Sequence, residues 1–220
     1  AKPDSKVPAP KMEQMQVAGM SLMTADWWRF ALCVLFGILM AFAFEMLTDY
    51  YVSTHKKPVR ELANVSSAGP APMIIQGFSY GMESSVFSVV AIVISLIMPL
   101  LIFPPDAFGG YILSFYGIAL VGLGLLTTTG YILAMDTFGP ISDNAQGVFE
   151  MSGAGHTSEM GSKAVQRLDA AGNTTKALTK GFAIAAAGLT VIALLGAFMS
   201  EVNTAAAELG VTGIQNFDIM

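Results

Sequence analysis

Residues 181–200 read GFAIAAAGLTVIALLGAFMS, twenty residues without a charged side chain. An α-helix needs about 20 predominantly apolar residues to cross the hydrocarbon core of a bilayer, and this stretch meets that length. Three other stretches also lack Asp, Glu, Lys and Arg, and they are 30–44, 84–105 and 107–135. The four stretches together predict an all-α integral membrane protein with four transmembrane helices.

The composition of the chain favours the same fold class. Apolar residues make up 54% of the 220 residues and charged residues only 12%, whereas a soluble domain is about 25% charged. A formal net charge of −5 offers no basic surface for nucleic acid, and a single cysteine cannot form an internal disulfide. Disordered, nucleic-acid-binding and disulfide-stapled classes are therefore poor fits.

The apolar pattern predicts four helices, at about 27–52, 71–103, 109–147 and 173–200. A polar tail, residues 1–26, precedes them, and residues 201–220 form a non-cytoplasmic tail or the start of a next segment. Pro99 and Pro140 lie within helical patterns, where kinks rather than breaks are expected. The chain begins without an initiating Met or a signal-peptide pattern. We therefore expect a piece of a longer protein.

The distribution of basic residues predicts the orientation in the membrane. Basic residues follow the first and third helices, and they are Lys56, Lys57, Arg60, Lys163 and Arg167. The link between the second and third helices and the C-terminal tail carry no Lys or Arg. Because cytoplasmic loops are enriched in Lys and Arg, segments 53–70 and 148–172 are predicted to be cytoplasmic.

Two carboxylates near the end of the third predicted helix are candidate functional groups. Asp136 and Asp143 are seven residues apart, which is two helical turns and about 10 Å along one face. Ionisable groups near a bilayer are costly to bury and commonly have a function. Two interpretations stay open from the residues alone: a functional pair, or a frayed helix end with solvated acids.

The fourth predicted helix opens with polar residues that share one face, namely Asn173, Lys176 and Lys180. Two lysines at a helix N-terminus oppose the macrodipole unless an anion compensates them. Snorkelling to the interface would suffice for Lys176, and we hypothesise that Lys180 faces Asp136. Carboxylates together with amide and ammonium groups suit a hard cation such as Mg²⁺ with an anionic oxygen ligand.

Two strings carry a resemblance to a known family. Residues 136–147 read DTFGPISDNAQG and residues 168–184 read LDAAGNTTKALTKGFAI, and both closely resemble the membrane-bound, ion-pumping inorganic pyrophosphatases. The resemblance covers about residues 27–200. It implies a fragment of a much longer protein, a homodimer with a bundle of about sixteen helices per chain. Such a protein hydrolyses the magnesium complex of pyrophosphate on the cytoplasmic side and drives H⁺ or Na⁺ outward.

The resemblance also implies roles for individual residues. Asp143 matches a catalytic aspartate that holds Mg²⁺ with pyrophosphate, and Asn173 matches an asparagine that lines the same pocket. Asp136 matches a deeper carboxylate on the ion-coupling side. Lys180 matches the family's lysine that follows the position of Thr179, and it is also assigned to ion coupling.

Lys176 and Thr179 resemble the potassium-independent subfamily, because potassium-dependent members carry Ala at the position of Lys176. An ammonium can replace a bound K⁺ as a fixed positive charge beside phosphate. Gln146 and Phe149 depart from the family, which usually has glycine and a small residue at these positions. The loop that follows, 151–168, is also longer than usual.

The predicted function is hydrolysis of pyrophosphate coupled to H⁺ translocation across the membrane, as a fragment of the full pump. The aspartate-rich helices that hold most of the Mg²⁺ in the family are absent from this chain, so it is not expected to work alone. The predicted partners are membrane lipid, Mg²⁺-pyrophosphate and a second subunit, with no nucleic acid. Two alternatives stay open: a secondary transporter or channel segment that uses Asp136 and Asp143 without hydrolysis, and a purely structural membrane protein.

Overall fold

The computed structural model describes residues 25–209, and its regular elements in that range are helices. They are α1 (Trp27–Val52), α2 (Lys57–Val65), α3 (Pro70–Ile102), α4 (Pro105–Phe108), α5 (Ile112–Leu125), α6 (Thr129–Met151) and α7 (Glu159–Leu209). Four helical segments in this range are long and apolar enough to cross a membrane, and they are Trp27–Ala68, Pro70–Ile102, Ile112–Met151 and Glu159–Ala206. The predicted all-α class with four spans is confirmed.

The last helix is longer than predicted in both directions. It begins at Glu159 and not at residue 173, so most of the predicted loop 148–172 is helical. Ser158 caps its first turn, since the Gly161 amide donates to the Ser158 hydroxyl at 3.1 Å. The helix continues to Leu209, into the predicted C-terminal tail. Residues 1–24 of the predicted N-terminal tail and the remainder of the C-terminal one lie outside the described residues.

The third predicted helix consists of two helices, α5 and α6, joined by a 3₁₀ turn at Leu126–Thr128. It starts at Ile112 because Gly109 and Gly110 have φ angles of 72° and 134°, which are incompatible with a right-handed helix. Pro140 lies inside α6, and Pro99 lies inside α3. Neither proline ends its helix, as predicted.

The first of two compact units comprises, among the described residues, 25–37, 94–124 and 188–209. Its core contains apolar side chains that are almost completely buried, including Cys33, Phe103, Val121 and Leu189. The hydroxyl of Ser114 donates to the Phe103 carbonyl at 2.7 Å and so satisfies a buried polar group.

The second unit comprises residues 38–93 and 125–187. Its core includes buried apolar residues from α1, α6 and α7, namely Phe44, Ile132, Phe182 and Ala185. Both segments that carry the basic residues fall within this unit, as do all the candidate site residues.

Candidate functional site

The candidate site is built on the neighbouring helices α6 and α7. Three contacts or close approaches follow one another along the pair, and they are Asp136 with Thr179, Gly139 with Lys176, and Ser142 with Gly172. The residue numbers rise on α6 while they fall on α7, so the two helices run antiparallel. A polar face of one helix therefore lies along a polar face of the other.

Two glycines allow the helices to approach closely. A Cβ atom at Gly139 would lie 2.5 Å from Cγ of Lys176 and 2.9 Å from the Gly172 carbonyl oxygen. A Cβ atom at Gly172 would overlap the Ser142 hydroxyl and lie 3.3 Å from Cα of Gly139. Small residues at such positions are the usual way for membrane helices to pack tightly. The stem of Lys176 therefore crosses α6 over Gly139.

The ammonium of Lys176 forms an ion pair with the carboxylate of Asp143. The Lys176 side chain is 21% exposed and that of Asp143 is 43% exposed, so the pair lies at the edge of the helix contact. A charge-assisted hydrogen bond of this type is stronger than a neutral one. Snorkelling to the interface is therefore not needed to explain Lys176, because its ammonium is directed at a carboxylate on the facing helix.

Asn173 and Asp169 complete a polar cluster with this ion pair. The Asn173 amide nitrogen donates to Oδ2 of Asp169 at 3.0 Å. The side chains of Asp169 and Asn173 also lie near the Asp143 carboxylate. Asp143 and Asn173, which were predicted to share a pocket, are thus brought together.

The partner of Asp136 differs from the one hypothesised. The hydroxyl of Thr179 lies 3.0 Å from Oδ1 of Asp136 and 2.8 Å from the Lys176 carbonyl oxygen, so its one hydrogen has two acceptors. Among the residues that the structure describes, no ion pair joins Lys180 to Asp136. The hypothesis that Lys180 faces Asp136 is therefore wrong. Successive residues of a helix are rotated by about 100°, so the side chain of Lys180 leaves α7 in a different direction from that of Thr179.

Asp169 is the residue that sequence reasoning missed. The fourth helix was predicted to begin at residue 173, which left Asp169 in a loop with no defined direction. In the continuous helix α7, Asp169 lies one turn before Asn173 and on the same face. The same continuity removes the predicted conflict between the lysines and the macrodipole, since neither Lys176 nor Lys180 lies in a first turn.

Gln146 and Phe149, the two departures from the family pattern, line a separate cavity of about 310 Å³. The Gln146 amide nitrogen donates to the Glu150 carboxylate at 2.8 Å. Neither Asp143 nor Asn173 lines this cavity.

The cluster offers hard oxygen donors beside one fixed positive charge. Its carboxylate and amide oxygens are the ligand types that Mg²⁺ prefers. In the range 25–209, however, no group of three or more His, Cys, Asp or Glu side chains is placed to hold a metal ion alone. Mg²⁺ usually takes one or two protein carboxylates and fills its other positions with water and phosphate oxygens. The donors present fit a partial Mg²⁺ site that needs further ligands.

Comparison with known proteins identifies the family. The sequence profile described as Inorganic H+ pyrophosphatase matches residues 9–220. The chain belongs to the inorganic H⁺ pyrophosphatase family. As a member of this family with four apolar helices of spanning length, it is a multi-pass integral membrane protein.

Curated relatives include proteins that differ in their named response to potassium. The "K(+)-insensitive pyrophosphate-energized proton pump" of Caldanaerobacter subterraneus subsp. tengcongensis is 47% identical over 174 residues, covering 77% of this chain and 24% of the relative. A protein of the same name from Streptomyces coelicolor is 43% identical over 179 residues, covering 80% of this chain and 22% of the relative.

A third member of the family, from Bacteroides thetaiotaomicron, is named "Putative K(+)-stimulated pyrophosphate-energized sodium pump". It is 37% identical over 190 residues, covering 86% of this chain and 26% of the relative. The chain thus spans about a quarter of the length of the curated relatives that it matches.

Proposed function

We propose that this chain forms one wall of the active site of a longer pump, which hydrolyses pyrophosphate and translocates H⁺. The observation that carries the proposal is the cluster on α6 and α7, in which Asp143, Asn173 and the Lys176 ammonium meet. Carboxylate oxygens can bind the metal of a metal–diphosphate complex, and a fixed cation beside them can bind its phosphate oxygens. An uncharged ligand would use neither group as well. The family match and the named relatives support the same reaction.

Mg²⁺ is the proposed cofactor, with Asp143 as its ligand from this chain. When bound, the metal offsets phosphate charge and stabilises the departing phosphate. Asn173 contributes a second polar side chain to the same pocket. The aspartate-rich helices elsewhere in the complete protein would supply the remaining ligands and the group that activates water.

Lys176 is proposed to make the enzyme independent of potassium. Its ammonium lies against Asp143, where a fixed positive charge would approach a phosphate oxygen bound through the same metal. Thr179, which is only 4% exposed, lies about one turn after Lys176 on α7 and is hydrogen-bonded to Asp136. The names of the relatives from C. subterraneus and S. coelicolor agree with this assignment.

The remaining roles concern transport and assembly. Asp136 and Lys180 are proposed to take part in ion coupling, deeper in the membrane than the hydrolytic site. They would act separately and not as an ion pair. The complete pump is proposed to be a homodimer embedded in lipid. H⁺ is the proposed ion, as in the relatives that are named K⁺-insensitive proton pumps.

The test uses membranes that contain the complete protein, with phosphate release from pyrophosphate as the measurement. We expect release that requires Mg²⁺ and does not increase when K⁺ is added. Lys176→Ala should lower activity in K⁺-free medium by about tenfold or more, because a fixed charge beside the phosphate is lost. K⁺ should restore much of that loss.

The matched control is Lys163→Ala, since Lys163 is an exposed lysine of the same helix that pairs only with Glu159 in the described range. Its activity should stay close to that of the unmodified protein, with or without K⁺. Absence of Mg²⁺-dependent phosphate release would contradict the proposal and favour a transporter without hydrolysis. Strong stimulation of the unmodified protein by K⁺ would contradict the role of Lys176.

A further inference from the structure

Asp169 has contacts that no role assigned so far explains. Its carboxylate accepts a hydrogen bond from the amide nitrogen of Asn173 at 3.0 Å. It also lies near the carboxylate of Asp143 on the facing helix. Asp169 is half-buried, and its neighbours are thus the two residues assigned to the catalytic pocket.

The contact with Asp169 decides which end of the Asn173 amide is free. An ionised carboxylate only accepts hydrogen bonds, so the NH₂ end of the amide must face Asp169. The carbonyl oxygen Oδ1 of Asn173 is therefore directed away from the Asp169 carboxylate.

This orientation determines what Asn173 can bind. A free Oδ1 can coordinate a hard cation or accept a hydrogen bond from a water molecule on that cation. The hydrogen that Asn173 donates to Asp169 is not available to a phosphate oxygen. Without Asp169 the amide could rotate and present its NH₂ group to the pocket instead.

We propose that Asp169 is a positioning residue. It fixes the amide of Asn173 so that the amide oxygen faces the Mg²⁺ ion of the bound Mg²⁺–pyrophosphate complex. The inference rests on the proposed function, since it concerns the same pocket. Residues that orient metal ligands commonly change metal affinity or activity by about 10- to 100-fold when they are replaced. Asp169 acts through Asn173 and does not itself touch the substrate.

Two substitutions separate the hydrogen bond from the charge. Asp169→Asn keeps an oxygen that can accept from Asn173 but removes the charge, whereas Asp169→Ala removes both. We expect Asp169→Ala to raise the half-activating Mg²⁺ concentration of the complete enzyme by about tenfold. Asp169→Asn should stay within about threefold of the unmodified enzyme. Glu159→Ala, which removes an exposed acid of the same helix, is the matched control.

A double substitution tests whether Asp169 works through Asn173. Asp169→Ala combined with Asn173→Ala should be no more impaired than Asn173→Ala alone, because the positioned group is already missing. Additive losses would overturn the proposal, since they would mean that Asp169 acts independently. Equal impairment in Asp169→Asn and Asp169→Ala would also overturn it, since the charge and not the hydrogen bond would then matter.

A binding measurement gives a readout that does not depend on turnover. Mg²⁺ with the non-hydrolysable analogue methylene diphosphonate should raise the melting temperature of the complete protein, because a ligand that binds only the folded state stabilises it. The rise should require a higher Mg²⁺ concentration in Asp169→Ala than in the unmodified protein. In Asp169→Asn it should occur at the same Mg²⁺ concentration as in the unmodified protein. An unshifted Mg²⁺ dependence in Asp169→Ala would overturn the proposal. The melting curves without ligand also report whether each variant is folded.

The outcomes also distinguish a failure of this inference from a failure of the proposed function. If the unmodified enzyme shows no Mg²⁺-dependent hydrolysis, the proposed function fails and the inference fails with it. If the unmodified enzyme is active but Asn173→Ala leaves its Mg²⁺ dependence unchanged, only the inference is overturned.

Discussion

Gly139 determines whether the ammonium of Lys176 can reach Asp143. The long lysine stem passes across α6 at this residue, and the space that a Cβ atom would need is occupied by Cγ of Lys176 and the backbone of Gly172. The sequence motif contains this glycine beside Pro140, where it looks like a helix-loosening pair. The structure assigns it a packing role, since Gly139 is buried within the continuous helix α6.

Gly139→Ala is predicted to separate the two helices and displace Lys176. Overpacking of a tight contact destabilises by about 1–3 kcal/mol, and the backbone of Gly172 cannot move aside as a side chain could. We expect lower thermal stability of the purified complete protein together with reduced pyrophosphate hydrolysis in K⁺-free medium. Differential scanning calorimetry and phosphate release would measure the two effects.

Gly147→Ala is the control for this prediction, because Gly147 belongs to the same helix and a Cβ atom there would meet nothing within 4 Å. Alanine is a better helix former than glycine, so this variant should be as stable as the unmodified protein or slightly more stable. If Gly139→Ala behaved like Gly147→Ala, the close approach at Gly139 would be refuted.

The individual site residues were predicted unevenly. Asp143 and Asn173 were predicted together because both lie in strings that resemble one family, and the structure brings them together. Asp169 was missed and Lys180 was given the wrong partner. Both errors arose because the direction of a side chain depends on where its helix begins and on its rotation against the facing helix.

At the scale of elements, α7 shows why helix bounds are harder to predict than spans. Gly172 followed by Asn173 resembles a helix start, because both residue types are common at helix caps. In the structure Gly172 lies inside the helix, where its missing side chain makes room for Ser142. Tertiary contact therefore explains a glycine that local sequence rules interpret as a boundary.

The contact between α1 and α5 in the first unit depends on Gly124 in a similar way. A Cβ atom at Gly124 would overlap the carbonyl of Val34 and lie 3.1 Å from Cα of Gly37. Gly124→Ala is predicted to lower stability by about 1–3 kcal/mol, because two helix backbones would have to move apart. Thermal unfolding of the purified complete protein would measure this loss.

Gly122 provides the comparison within α5. It is buried, yet a Cβ atom there would meet nothing within 4 Å. Gly122→Ala should therefore leave the melting temperature nearly unchanged. A similar loss of stability in both variants would indicate that glycine is needed for the flexibility of α5 and not for its contact with α1.

At the scale of the whole molecule, the basic segments provide a test of orientation. The segments after α1 and α6 both lie in the second unit, and the link that contains Asp106 lies in the first. Because Lys and Arg are enriched in cytoplasmic loops, the segments near His55 and Thr157 should face the cytoplasm. Asp106 should then lie on the opposite side of the membrane.

Cysteine labelling measures this orientation directly. The complete protein, with Cys33 and its other cysteines replaced, would carry His55→Cys, Thr157→Cys or Asp106→Cys, at positions that are all exposed. A membrane-impermeant maleimide should label the first two from the cytoplasmic side and the third only from the other side. Labelling of His55→Cys and Thr157→Cys from opposite sides would contradict the proposed topology.

The sequence by itself determined the class of this protein and pointed to candidate residues for a pocket. Four uncharged apolar stretches are sufficient to predict four spans, since the cost of placing charge in hydrocarbon depends on composition and length and not on partners. The motifs around Asp143 and Asn173 also pointed to the family without a structure, because each is a continuous stretch of sequence.

Only the tertiary structure decided which side chains meet. Lys176 pairs with Asp143, Thr179 bonds Asp136, and Asp169 holds Asn173. The first two contacts depend on the rotation of α6 against α7 and on how closely the helices approach, which is set by the glycines between them. A rotation by one residue, about 100°, would give Asp143 and Asp136 different partners, and no local pattern encodes that angle. The third contact lies within α7 and requires only that the helix continue through both residues.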